Sequence, residues 1–263
     1  MNKKSNASNI FPVLVIIACL IVAELIYYLI LGSPAHFVDA EKKTPKVGDI
    51  YGIMYKGGFL VPIILTMLLM VLVFTIERLM TLAKANGSGN IANFVRKVQF
   101  NLANNNINDA VKECDRQKGS VANVIKSGLK KYTEMAENRE LTKEQKMLAI
   151  QTEIEEATSL ELPMLQRNLP FIATIAPLGT LCGLIGTVLG MIRSFAAMGQ
   201  AGAADSVALS NGISEALVNT ATGIITSALA IVAYNYFSTR IDSLTYNIDE
   251  AGYSISSTFA SRY

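Results

Sequence analysis

The chain has 263 residues, 51% of them hydrophobic, with one His, no Trp and a formal net charge of +2. So small a charge carries no electrostatic footprint for nucleic acid, and no nucleic-acid partner is expected. Cys19, Cys114 and Cys182 are scattered, with no CxxC and no Cys/His cluster around the lone His36. Neither a disulfide framework nor a structural metal fits that pattern, and no cofactor is assigned.

Mean hydropathy is +0.35, unevenly distributed. Apolar residues gather in runs at 10–32, 57–76, 168–198 and 211–237. Each can cross a hydrocarbon core of about 30 Å, which takes about 20 helical residues. The predicted class is all-α: a polytopic membrane protein with four transmembrane helices and a substantial helical region outside the bilayer.

Residues 1–56 hold the first of these helices, about 10–32, and a loop. The basic start could suggest a signal peptide, but no small-x-small cleavage site follows and the apolar run continues past Cys19. An uncleaved membrane helix is therefore predicted. Glu24 lies about 20 Å from its inner end at 1.5 Å per residue. It faces either the protein and a partner or a position near the interface. A second transmembrane helix is predicted over 57–83.

The region 84–167 reads as helical. "IANFVRKVQFNLANNN" and "NDAVKECDRQ" form short helices hinged at Asn104–Asn106. A further helix carries apolar residues at 121, 124, 125 and 129, with Ser120 as its N-cap. Thr142 then caps a helix that runs towards the third transmembrane helix, 168–198. Pro163, Pro170 and Pro177 recur every seven residues, and the first two predict kinks because proline removes a backbone hydrogen bond. A loop at 199–210, a fourth transmembrane helix at 211–238 and a tail at 239–263 complete the chain.

Charge sets the expected orientation. Lys3 and Lys4, Arg78 and Lys84, Arg167, and Arg240 flank the apolar runs on one side, and 199–210 has no Lys or Arg. Both termini, 84–167 and the tail are thus expected in the cytoplasm, with 199–210 outside. The 33–56 loop is also placed outside, although Lys42, Lys43, Lys46 and Lys56 dissent, partly balanced by Asp39, Glu41 and Asp49.

The last two helices carry the polar chemistry. Gly179, Gly183, Gly186 and Gly190 fall along one stripe, which permits close backbone approach and, at the least, tight packing. In the fourth helix Ala216, Thr220, Gly223, Ser227 and Ala230 share a face, with Glu215, Asn219, Thr222 and Thr226 beside it. Any single Thr can satisfy itself on the carbonyl three or four residues back. A carboxylate has no such local partner, and at mid-membrane it costs about 2.5–3.5 kcal/mol on insertion scales. The whole wedge therefore points to a protein-lined, hydrated interior. If the helices form a tight hairpin, residues whose numbers add to about 407 lie at equal depth. Thr187 is then level with Thr220, and Arg193 with Glu215, about 1.5 turns further out. Two readings stand for Arg193: an ion pair with Glu215, or snorkelling to the outer interface.

"IAPLGTLCGLIGTVLGMIRSF" followed by "NGISEALVNTATGIITSALAIVAYNYF" resembles the MotA/TolQ/ExbB proton-channel family, most closely its ExbB and TolQ branch. The resemblance covers roughly 140–240. It implies long membrane helices extending into the cytoplasm and a pentameric helical bundle around a central pore in the bacterial inner membrane. It also implies a single-span partner resembling ExbD or TolR inside that pore, whose membrane aspartate carries the proton. The family's channel-lining threonines fall on Thr187 and Thr220, and its membrane glutamate on Glu215. The departures are Leu229 where proline is frequent, Asn219 where a small apolar residue is usual, and Arg193 where a neutral polar residue is common. The N-terminal helix and the 33–56 loop are additional to the usual three-helix plan.

The functional expectation is a proton-channel motor subunit that energises TonB-dependent transport. Its expected pathway comprises Thr187, Thr220, Glu215, Asn219 and Thr222, with Gly223 joining the glycine stripe in packing. TolQ-like envelope maintenance through a TolA-like protein, or a gliding or secretion motor, is the alternative within the family. A non-conducting membrane scaffold is the alternative outside it. No catalytic constellation exists for an enzyme.

Overall fold

A computed structural model describes residues 3–39, 41, 44–201 and 206–263. Lys42, Lys43 and the centre of the 199–210 connection lie outside the described residues. In chain order the helices are α1 (Lys3–Leu25), α2 (Ile50–Tyr55), α3 (Leu60–Asn86), α4 (Ile91–Ala103), α5 (Ile107–Gln117), α6 (Gly119–Glu137), α7 (Lys143–Gln166), α8 (Leu169–Ala201) and α9 (Ser206–Arg262). A wide π-helical turn, Ile26–Leu31, extends α1. The described residues are all-helical apart from turns and one isolated bridge between Phe37 and Pro45. Four apolar stretches, beginning at Ile10, Leu60, Leu169 and Leu209, are long enough to cross a membrane.

The chain divides into two compact units: residues 1–76 with 168–235, and residues 77–167 with 236–263. In the first, Ala23, Tyr27 and Leu31 pack on Val61 and Leu65 of α3, and Phe74 stacks on Phe171 at 5.2 Å. Much of the outer surface of α1 and α8 stays apolar and exposed, for example at Leu14, Ile21, Leu184 and Ile192, as a lipid-facing or protein-facing helix requires.

The second unit has a helical core of its own. Ile241, Leu244, Ile248, Ala251 and Ile255 of α9 are buried at alternating spacings of three and four, the seam of a packed helix. Phe259 meets Tyr132 of α6 edge-on at 5.0 Å, and Arg262 donates to the last carbonyls of α4, at Leu102 and Ala103. The segment 239–263, expected as a tail, is thus the continuation of α9 and supplies one wall of this core. Cys114 of α5 is enclosed here, and burial pushes its thiol up to about 12.

Other boundaries differ from expectation for local reasons. Ser120 is not the cap of α6. Lys118 and Gly119 both adopt left-handed φ, and the helix begins at Gly119. A Cβ on Gly119 would meet the carbonyl oxygen of Ala85 at 2.3 Å, so only glycine lets these backbones touch. Pro163 lies inside α7, whereas Pro170 occupies the first turn of α8, where its missing N–H costs no helical bond. The helix is interrupted by a turn at Arg167–Asn168 between them. Buried Arg78 donates to Leu165 O at 2.9 Å and so satisfies a terminal carbonyl of α7. The Thr142 cap forms with Gln145 as a reciprocal capping box.

The described part of the 33–56 segment is folded. The Asp49 carboxylate caps α2 by accepting from Gly52 N at 3.1 Å, and its other oxygen lies 2.8 Å from His36 Nδ1. The His36 hydrogen bond, then the Gly52 N–H, hold the Asp49 carboxyl below its ordinary value of 3.8. A lowered native value stabilises the capped start of α2 above 3.8, and that contribution is lost as the pH falls through the lowered value. The protection factors of the Gly52 and Ile53 amides, measured exchange corrected for the intrinsic rate at each pH, should therefore fall as the pH drops through the lowered value. Asp49→Asn, which keeps a good cap, should make those protection factors independent of pH over the same interval.

Candidate functional site

The seam between α8 and α9 is built on backbone contact. A Cβ on Gly223 would meet Gly179 O at 2.4 Å, and one on Gly183 would meet Asn219 O at 3.0 Å. At this separation side-chain hydroxyls of one helix reach the backbone of the other. Ser227 lies 2.8 Å from Thr180 Oγ1 and accepts from Thr180 N at 2.9 Å, while its own hydroxyl donates to Ala176 O. One and a half to two turns further on, Thr220 donates to Gly183 O at 3.0 Å and Thr187 to Leu184 O at 2.8 Å.

The structure brings Thr187 and Thr220 together, with their hydroxyl oxygens 3.1 Å apart. Each hydroxyl has one proton, and each already has a carbonyl to donate to. Either can donate to the other only by releasing its carbonyl. The contact between them can therefore be donated from either side, and both residues are partly exposed.

The structure also brings Arg193 and Glu215 together as an ion pair, with the guanidinium 5.8 Å from the Phe59 ring centroid. Glu215 is the more enclosed partner, with 17% of its side chain exposed against 51% for Arg193. The turn before α3 closes over the carboxylate. Gly58 has φ +72, and a Cβ there would meet Glu215 Oε1 at 2.7 Å.

Asn219 and Thr222 each have a hydrogen-bond partner within this chain. Asn219 is fully buried and donates its amide to Gly57 O at 2.8 Å, so within this chain it ties α9 to the turn. Thr222 donates to Val218 O and Thr226 to Thr222 O, the local satisfaction available to any helical threonine. Gly186 and Gly190 approach Asn219 and Ala216 respectively. Thr180 with Ser227, and the Gly57–Gly58–Phe59 turn, were not singled out as site residues from the sequence. The first pair obeys the same equal-depth rule, since its numbers add to 407, and the double glycine ahead of an apolar run was the available sign of the second.

Gly223→Ala should force the helices apart and lower stability by about 2 kcal/mol, as overpacking does, read as a lower thermal midpoint in detergent. A double-mutant cycle on Arg193→Gln and Glu215→Gln should return a coupling of about 1 kcal/mol or less, because the arginine is half exposed.

Comparison with known proteins gives the arrangement a context. Residues 116–250, just over half of the chain, match the model of the MotA/TolQ/ExbB proton channel family. Over 124 residues the chain is 31% identical to the Tol-Pal system protein TolQ of Pseudomonas aeruginosa, covering 47% of this chain and 54% of that protein. It is 41% identical over 86 residues to the putative biopolymer transport protein ExbB-like 3 of Synechocystis, covering 32% and 41%. With the biopolymer transport protein ExbB of Salmonella typhimurium it shares 37% identity over 73 residues, covering 28% and 30%. The matches span about half of the first relative's length and less of the other two. With its matched region running through the α8–α9 seam, the chain belongs to the MotA/TolQ/ExbB proton channel family.

Proposed function

We propose that the protein is the channel-forming subunit of an inner-membrane motor that uses the proton motive force to energise TonB-dependent transport across the outer membrane. It works as a homopentamer around the membrane helices of an ExbD-like partner, with both termini in the cytoplasm. The observation that carries this reading is the Thr187–Thr220 hydroxyl pair, partly exposed and set in the α8–α9 seam. Its two hydroxyls can exchange donor and acceptor roles without moving the backbone.

In this mechanism a proton reaches the partner's acidic group from the outer side, passing the Arg193–Glu215 pair. Neutralising that group frees the partner helix to shift along the hydroxyl wall, and release of the proton to the cytoplasm resets it. A proton moving through 100 mV supplies about 2.3 kcal/mol, enough to bias the position of one packed helix. Glu215 is held by Arg193 and covered by Gly58, which suits a gating or structural carboxylate better than a mobile carrier. A TolQ-like role with a TolA-like protein is the second reading, favoured by the longer match to the Pseudomonas protein.

Thr187→Val with Thr220→Val keeps side-chain volume and removes both hydroxyls. Proton flux into liposomes carrying the chain and its partner should fall about tenfold or more, with assembly unchanged by size-exclusion chromatography. Unchanged flux in the double variant would refute the hydroxyl wall. No flux from the unaltered complex would favour a scaffold. Identification of the co-purifying periplasm-spanning protein separates the TonB from the Tol reading.

A further inference from the structure

In the second unit, α3, α4 and α9 enclose a cavity of about 420 Å³ that the channel mechanism does not use. That volume is in the range of small-molecule sites. Its walls include Leu82, Phe237 and Leu244, all buried. Its rim carries Leu79 and Tyr236, each about half exposed. Arg240 and Asn90 also line it.

Two features decide what the cavity suits. The first is its level along the helices. It begins where the apolar runs of α3 and α9 give way to polar sequence, at "TLAKANG" and "YNYFSTRID", so its rim lies at the edge of the hydrocarbon. The second is charge. Among the described residues Arg240 forms no ion pair or hydrogen bond, and its guanidinium rests 5.6 Å from the Tyr236 ring centroid. The ring holds the cation at the cavity without neutralising it. Asn90 accepts the Asn93 N–H through its side-chain oxygen, which leaves its amide N–H groups to donate.

We propose that this cavity binds the headgroup of an anionic phospholipid from the leaflet on the side of the 84–167 region. The guanidinium meets the phosphodiester in a charge-assisted contact, the Asn90 amide serves the polar headgroup, and the acyl chains leave along Leu79 and Tyr236. A free phosphate would satisfy Arg240 alone and leave the apolar walls and rim uncovered.

The test is native mass spectrometry of the delipidated full-length protein in detergent, titrated with phosphatidylglycerol, phosphatidylcholine or inorganic phosphate. Phosphatidylglycerol should bind at least about tenfold tighter than phosphatidylcholine, and inorganic phosphate should not displace it. Arg240→Gln should erase the preference, whereas Arg167→Gln, an equal charge loss outside the cavity, should preserve it. Ala83→Phe fills the cavity from an exposed lining position and should abolish retention without altering the charge. Circular dichroism and size-exclusion chromatography check that the variants remain folded. Equal affinity for the two lipids, an undiminished preference in Arg240→Gln, the same loss in Arg167→Gln, retention in Ala83→Phe, or displacement by phosphate would each overturn the assignment.

Discussion

The contact on which the site depends is the backbone-to-backbone approach of α8 and α9 at Gly179, Gly183 and Gly223. Hydroxyls are poorly tolerated in hydrocarbon unless something accepts their protons. At this helix separation the facing carbonyls of Ala176 and Gly183 accept from Ser227 and Thr220. The glycines thus do more than tighten packing. They expose backbone oxygen to a neighbouring side chain, which gives the polar residues of a transmembrane seam an acceptor within the protein. A methyl group at Gly223 would disturb both the packing and this hydrogen-bonding scheme.

Much of this was legible in the sequence, and the reasons are specific. Long apolar runs identify membrane helices because the bilayer fixes their length. The equal-depth rule located Thr187 against Thr220 and Arg193 against Glu215 because a short connection leaves an antiparallel hairpin little freedom of register. Asn219 and Thr222 were harder. Helical position puts both near the same wedge, but Asn219 meets Gly57 O, 162 residues away in sequence, whereas Thr222 bonds Val218 O one turn back on its own helix. The continuation of α9 past Arg240 was hidden too, because its polar residues resemble a tail until the three-and-four spacing from Ile241 to Ile255 is followed.

The N-terminal addition is joined to the site through a short chain of contacts. Tyr27 of the π-helical turn donates to Tyr55 O at 3.0 Å and stacks on the Tyr55 ring at 4.7 Å. Two residues later Gly57 receives Asn219, and Gly58 covers Glu215. The segment that the family resemblance left without a role is therefore the element that positions the turn over the ion pair. Its His36–Asp49 clasp steadies the short helix from which that turn emerges.

The wide turn at Ile26–Leu31 also solves a problem of phase. Four residues overshoot one turn of an α-helix, so a line of residues spaced by four slowly winds around the axis. In a turn closed by i→i+5 bonds, four residues fall short of a full revolution, and the drift reverses. Ala23, Tyr27 and Leu31 can therefore keep to one line and meet Val61 and Leu65 on α3 without either helix having to coil around the other. With the same residues wound as an ordinary α-helix, each step of four would overshoot by about 40°, and Leu31 would sit about 80° from the line of Ala23.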